Sequence, residues 1–204
     1  MNLLEHSCAR AWEGLGAQMS GDAVRSALIA SYSEQHRSYH TLQHLTECLT
    51  AFDIVGELPI HAVEVEIALW FHDAIYDLKA SDNEEMSAKW ASTTLNEAQV
   101  QPDIVDRVHA LIMTTKHSAI PVAIDEQVLV DIDLAILGAA APRFAEYEQQ
   151  IRSEYAFVPG WLFNSKRKKI LQSFLDRPRI YSTPHFRALL EDSTRANLRR
   201  AIGS

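Results

Sequence analysis

The chain has 204 residues, 47% of them hydrophobic, so it can bury a sizeable core, and its length permits one domain or two small ones. Its formal net charge of −8 argues against a general nucleic-acid binder, which would carry net positive charge towards the phosphates. Two cysteines do not make a disulfide framework in a domain of this size. No stretch approaches the roughly eighteen apolar residues of a membrane span, and the N-terminus lacks a signal-peptide core. We therefore expect a cytoplasmic protein without a membrane partner.

The charge is unevenly distributed along the chain. Residues 166–204 contain ten of the nineteen lysines and arginines but only three acidic residues, which gives this segment about +7 and the remainder about −15. A basic segment could attract an anionic substrate or partner, but a helix with a solvated charged face explains the pattern as well. We favour the solvated helix.

Apolar residues recur at helical spacing along nearly the whole chain, and the strict alternation of β-strands is scarce. The sequence therefore predicts an all-α protein. In chain order, helices are predicted over about 3–14, 21–34, 40–55, 59–76, 126–138 and 161–175. Further helices are predicted to start near 82, 102, 142 and 184.

Local signals support the helix starts. Asp82 with Glu85 resembles a capping box, and three prolines stand where the first turn of a helix tolerates them. Those prolines are Pro102, Pro142 and Pro184. The strongest internal break, at 158–160, is too short for a flexible linker. We expect one domain over 1–204, with a core of about residues 20–158 and a helical extension over 159–204.

The helix predicted over 59–76 leads into a polar pair, His72 and Asp73. An apolar stripe at helical spacing, formed by Ile60, Val63, Ile67 and Phe71, runs up to this pair. Burying an imidazole and a carboxylate at a helix end is costly unless they are paired or bind a cation. We favour a bound cation over the alternative that His72 caps the helix while Asp73 points to water.

Other potential ligands lie before and after this helix. His40 and His44 are four residues apart, so both imidazoles would lie on one face of a helix, although such a pair is by itself weak evidence. Asp131 and Asp133 interrupt an apolar helix, and only one of them can face the core; the pattern does not decide which. The set contains nitrogen and oxygen ligands and no thiolate, which suits Mn, Fe, Co, Ni, Mg or Zn.

The order of these motifs resembles the HD-domain superfamily of metal-dependent phosphohydrolases, and more narrowly its small bacterial members. The matching stretches are RSYHTLQHL, ALWFHDAIYD, DNEEMSA, DIDLAILG, IRSEY and RIYSTPHF. The resemblance implies a single HD-type helical bundle with additional C-terminal helices. It also implies that one divalent metal ion is bound by His40, His72, Asp73 and Asp133.

Two of these ligands are choices that the resemblance makes. It favours His40 over His44, and His44 is kept as a ligand or a phosphate contact. It favours Asp133 over Asp131, and Asp131 would then support the site by hydrogen bonding. Leu134 stands where many members of the superfamily carry an arginine, so phosphate binding differs from theirs at this point.

The resemblance also suggests catalytic and substrate-binding roles. Asp73 and Asp77 are the catalytic candidates, and Asp77 would assist the water that attacks phosphorus; the alternative is that Asp77 only ends a helix. The candidates for substrate binding are Arg37, His44, Lys116 and His117. His117 and Glu85 could hold a second metal ion, but we expect one.

We therefore expect a metal-dependent phosphoric ester hydrolase that acts on a nucleotide or a small phosphorylated metabolite. Two alternatives are kept: an HD-fold di-iron oxygenase, and a non-catalytic nucleotide- or ligand-binding protein whose metal is structural. The sequence does not identify the substrate, because pocket shape depends on helix packing. It also leaves the oligomeric state open, with a homodimer as one alternative.

Overall fold

The computed structural model describes residues 2–203, and this range contains ten α-helices and no β-strand. The helices are α1 (Leu3–Gly14), α2 (Asp22–Ser31), α3 (Leu42–Val55), α4 (Ala62–Phe71), α5 (Asn83–Glu97), α6 (Pro102–Thr114), α7 (Ile124–Asp133), α8 (Ala141–Glu154), α9 (Gly160–Leu175) and α10 (Pro184–Ile202). A short 3₁₀-helix, Leu134–Gly138, follows α7. The prediction of an all-α fold is confirmed.

The chain divides into two compact units, Met1–Ile132 and Asp133–Ser204. The first contains α1 to α6 and all of α7 except its last residue. In the second, α10 packs against α9 and the 3₁₀-helix. The single domain with a core of about residues 20–158 stays a prediction. None of the helices described is both long and apolar enough to cross a bilayer.

Helix α4 is the buried centre of the first unit. Its residues from Glu64 to Phe71 are all buried, and α1, α3, α5 and α6 pack around it. A helix that is apolar on every side is typical of this position. The predicted stripe is therefore only part of the buried surface, and its first member, Ile60, lies before the helix and is 75% exposed.

Two buried carboxylates on α4 join it to its neighbours. Glu66 accepts hydrogen bonds from the Ser7 hydroxyl at 2.6 Å and from Arg10 Nε at 2.9 Å, both on α1. Glu64 accepts two bonds of 2.7 Å from the guanidinium of Arg107 on α6. Because a buried charge is costly without a partner, these pairs fix the position of α4 between α1 and α6.

Three local predictions need correction. The helix predicted over 59–76 ends at Phe71, with His72 as its C-cap. The helix predicted over 126–138 changes to a 3₁₀-helix after Asp133. Asp82 is the N-cap of α5, but its side chain makes no capping hydrogen bond within the described range. Its ψ of 21° departs from the extended conformation in which an N-cap side chain reaches the first turn.

Replacing Arg10 with Met should lower the free energy of unfolding by about 2 kcal/mol, because among residues 2–203 the buried Glu66 carboxylate then keeps only the Ser7 hydroxyl as a donor. Urea denaturation followed by circular dichroism measures this change. Arg25→Met is the matched control: its partner Asp22 is 72% exposed, so a clearly smaller loss is expected. Equal losses in the two variants would show that burial of Glu66 is irrelevant.

Candidate metal centre

Two imidazoles and a carboxylate converge just after the C-terminal end of α4. His44 Nε2 lies 3.2 Å from His72 Nε2. Asp73 Oδ2 lies 3.4 Å from His44 Nε2 and 3.1 Å from His72 Nε2. We call these three atoms the ligand triangle. Both imidazoles are buried, whereas the Asp73 side chain is 17% exposed, so the triangle is reachable from solvent on its carboxylate side.

The ligand triangle has the size of one face of a metal coordination sphere. With metal–nitrogen and metal–oxygen bonds of about 2.1 Å, two ligand atoms on one ion lie about 3.0 Å apart at octahedral angles and about 3.4 Å apart at tetrahedral angles. The three observed separations run from 3.1 to 3.4 Å. The residues present therefore fit a divalent ion.

The hydrogen bonding of His72 supports this interpretation. Its Nδ1 lies 2.8 Å from the carbonyl oxygen of Leu69, which can only accept, so Nδ1 carries the proton. In neutral His72 the Nε2 lone pair then faces the nitrogen of His44 and the oxygen of Asp73. A proton or a cation must lie among these acceptors. Metal-binding histidines are oriented in the same way, by donating from their other ring nitrogen.

Electrostatic interactions keep the Asp73 carboxyl group in its ionised form. Burial alone would raise the pKa of its carboxyl group, but the imidazoles of His72, His40 and His44 outweigh that effect and hold the pKa well below the usual value. The carboxylate is therefore ionised at neutral pH, which is the protonation state that a metal ion requires.

Arg37 fixes the backbone that carries the pair His72 and Asp73. Its buried guanidinium donates to the carbonyl oxygens of Asp73 at 2.6 Å, Ala74 at 2.9 Å and His40 at 3.2 Å. These bonds tie the loop between α2 and α3 to the end of α4. Arg37 Nε donates to the Glu34 carboxylate at 3.0 Å. These contacts support a positioning role for Arg37, and its predicted part in substrate binding stays a prediction.

Two tyrosines complete the support of the site. The Tyr32 hydroxyl donates to the Trp70 carbonyl oxygen at 3.2 Å and accepts from the Asp73 N–H at 3.3 Å. Burial raises the pKa of Tyr32 to about 12, so this hydroxyl keeps its proton. The Tyr39 hydroxyl lies 3.0 Å from Nδ1 of His44, the ring nitrogen that points away from the ligand triangle. Each imidazole thus has a partner on its outer nitrogen.

A thiol also lies near the imidazoles. One ligand atom from each of His44, Cys48 and His72 lies within 4.8 Å of the other two. Cys48 follows His44 by one turn of α3, and its Sγ is 3.7 Å from both ring nitrogens of His44. The structure thus places a thiol beside the imidazoles, which the sequence pattern did not indicate.

The predicted pair of His40 and His44 is not a pair on one helix face. Helix α3 begins at Leu42 with Thr41 as its N-cap, so His40 precedes the helix. The His40 ring stacks on Tyr76 with centroids 4.0 Å apart, and its centroid is 6.0 Å from that of His44. Coordination by His40 stays a prediction, while His44 is the histidine that the structure brings to His72.

The two aspartates of α7 differ in exposure. Asp131 is completely buried, whereas Asp133, the last residue of the helix, is partly exposed. The predicted roles of Asp133 as a metal ligand and of Asp131 as a hydrogen-bonding residue stay predictions.

The remaining candidates lie in turns or at a helix start. Asp77 is exposed, and its Oδ1 accepts the Lys79 N–H at 2.8 Å, which stabilises the turn. Lys116 and His117 lie in the turn that follows α6, and Glu85 is exposed in the first turn of α5. Their predicted roles in catalysis, substrate binding or a second metal site stay predictions.

Comparisons of the chain with protein-family models, with curated proteins and with solved structures find no match. The HD-domain resemblance therefore rests on the motifs alone.

Replacing His44 with Gln should weaken Zn²⁺ binding by more than about 100-fold, because loss of a ligand exceeds the 10–100-fold effect of losing an outer hydrogen-bond partner. Isothermal titration calorimetry on metal-free protein measures the affinity. His36→Gln is the control, since this exposed histidine bonds to the carbonyl oxygen of Tyr76. A larger loss in His40→Gln than in His44→Gln would contradict the ligand triangle.

Proposed function

We propose that this protein is a metal-dependent phosphohydrolase of the HD-domain type, which cleaves a phosphate ester of a nucleotide or a small phosphorylated metabolite. The observation that carries the proposal is the ligand triangle, whose dimensions suit a divalent ion. A bound divalent ion would supply the chemistry by polarising a phosphoryl oxygen and lowering the pKa of a water molecule.

The side chains of the site would hold this ion and leave room for the substrate. His72 is locked by its bond to the Leu69 carbonyl oxygen, which leaves Nε2 as the ligand atom. Asp73 is ionised and partly exposed, so one side of the site remains accessible. Accessible coordination positions are typical of catalytic metal sites, whereas structural sites are closed by protein ligands.

Asp77 is the proposed proton acceptor. It follows Asp73 by four residues, and the Lys79 N–H orients its exposed carboxylate. A carboxylate that takes a proton from attacking water contributes typically about 10²- to 10⁴-fold in rate. In this proposal Asp73 retains the metal, while Asp77 accelerates the chemical step.

One observation favours a second candidate, a non-catalytic protein with a structural metal ion. The Cys48 thiol lies within 4.8 Å of ligand atoms of both imidazoles, and cysteine is a common ligand of structural zinc. The exposure of Asp73 argues for the catalytic interpretation. The two candidates differ in whether any phosphate ester is turned over.

Asp73→Asn should abolish both metal retention and phosphate release, because the variant loses the charged ligand. Asp77→Asn should retain the metal while its rate falls by about 10²- to 10⁴-fold. The measurements are elemental analysis of each purified variant and a phosphate-release screen over nucleotides and small esters, with Mn²⁺, Co²⁺, Ni²⁺, Mg²⁺, Fe²⁺ or Zn²⁺ added back.

Asp82→Asn is the matched control, because this exposed carboxylate near Asp77 makes no capping bond in the described structure. It should leave metal content and rate unchanged. Full activity of Asp73→Asn without metal would contradict the proposal. Stable metal retention by the unmodified protein, with no turnover of any ester, would favour the structural candidate.

A further inference from the structure

Helix α9 is a basic helix in an acidic chain. It has four basic residues and no acidic one. The second unit contains twelve lysines and arginines and seven acidic residues, which gives it about +5, although the whole chain carries −8. Arg167 is mostly buried and paired with Glu148, whereas the three lysines of α9 are exposed and form no ion pair among residues 2–203. These lysines are Lys166, Lys168 and Lys169.

Large apolar side chains are exposed on and beside the same helix. Trp161 is 75% exposed and Ile170 is 50% exposed, and Phe157 in the preceding turn is 54% exposed. The other three tryptophans of the chain are buried or partly buried. A solvated charged face explains exposed lysines, but it gives no reason for exposed aromatic rings. The surface of α9 therefore has the character of a binding surface.

Trp161 and two of the lysines share one face of α9. Residues at positions i, i+7 and i+8 lie on one side of a helix, and here they are Trp161, Lys168 and Lys169. We call these three residues the lysine–tryptophan face. The buried residues of α9, Leu171 and Phe174, point to a different side. The helix therefore packs into its unit on one side and presents charge together with an aromatic ring on another.

This combination suits the surface of an anionic lipid bilayer. Tryptophan has an apolar ring and an N–H donor, and it is favoured at the boundary between lipid headgroups and acyl chains. Lysines near such a surface are attracted by the anionic headgroups. Nucleic-acid phosphates are recognised best by the fork of an arginine, and the one arginine of α9, Arg167, is held by Glu148. Charge and apolar surface together favour lipid as the partner.

We propose that α9 binds the surface of an anionic bilayer, with Trp161 in the headgroup region and Lys168 and Lys169 against the lipid phosphates. A helix of this kind lies in the plane of the bilayer, so it needs no membrane-spanning length. The expectation of no membrane partner, which considered only spanning segments and signal peptides, is therefore replaced. This binding depends neither on the metal centre nor on phosphate chemistry.

Co-sedimentation of the full-length protein with vesicles tests the proposal. The protein should bind vesicles of phosphatidylcholine mixed with phosphatidylglycerol, should not bind vesicles of phosphatidylcholine alone, and should be released by high salt. The double variant Lys168→Gln and Lys169→Gln should bind about 25-fold more weakly, at about fivefold for each lysine. The double variant Lys79→Gln and Lys89→Gln is the matched control, since it removes the same charge from exposed lysines of the first unit. It should bind like the unmodified protein.

Tryptophan fluorescence gives a second readout on the unmodified protein. Vesicles with brominated acyl chains should quench part of the emission, because the ring of Trp161 reaches the boundary with the acyl chains. Trp161→Phe should stay bound and lose this quenching. Trp161→Ala should bind about tenfold more weakly or worse, since the variant no longer removes an aromatic ring from water.

Three results would overturn the proposal. One is equal binding to neutral and anionic vesicles, or an equal loss in the two lysine variants. Another is tight binding of a single-stranded oligonucleotide without binding to vesicles, which would make α9 a nucleic-acid surface. The third is a dimer that Trp161→Ala converts to a monomer, again without vesicle binding, which would make the lysine–tryptophan face an interface between two copies of the chain.

Discussion

Helix α4 is buried on every side, so each ionisable group on it or at its end needs a partner inside the protein. Glu66 has Arg10 and Ser7, and Glu64 has Arg107. The histidine and aspartate that follow the helix meet His44, with Nε2 and Oδ2 atoms that lie 3.1–3.4 Å from one another. The first two sites are satisfied by the protein itself. The third has dimensions that suit a cation, and this difference makes it the candidate functional site, whereas the first two are structural ion pairs.

The surroundings of the ligand triangle set its shape through the backbone as much as through side chains. Arg37 holds the carbonyl groups of Asp73 and Ala74, and the Tyr32 hydroxyl accepts the Asp73 N–H. Leu69 and Tyr39 contact the outer nitrogens of the two imidazoles. Ligands that are oriented before an ion binds lose little freedom on binding, so this support suits the cluster to hold a metal ion.

The helices could be predicted because the signals that define them are local. Pro102 and Pro184 begin helices α6 and α10, where their missing N–H costs nothing. The end of α4 was harder to predict, since apolar spacing continues past Phe71 while the helix stops at His72. There the carbonyl groups are taken by Arg37, a residue far away in the sequence, which no local pattern reveals.

The sequence by itself determined the helical class, the boundaries of most helices and the presence of His72 and Asp73 at the end of a buried helix, because these follow from periodicity and local capping. Only the tertiary structure decided that His44 reaches His72, and that Cys48 lies with them while His40 stacks on Tyr76. The physical reason is that coordination depends on distances of a few ångströms between residues on different helices. Those distances are set by how α3 packs on α4 and by where α3 begins, at Leu42.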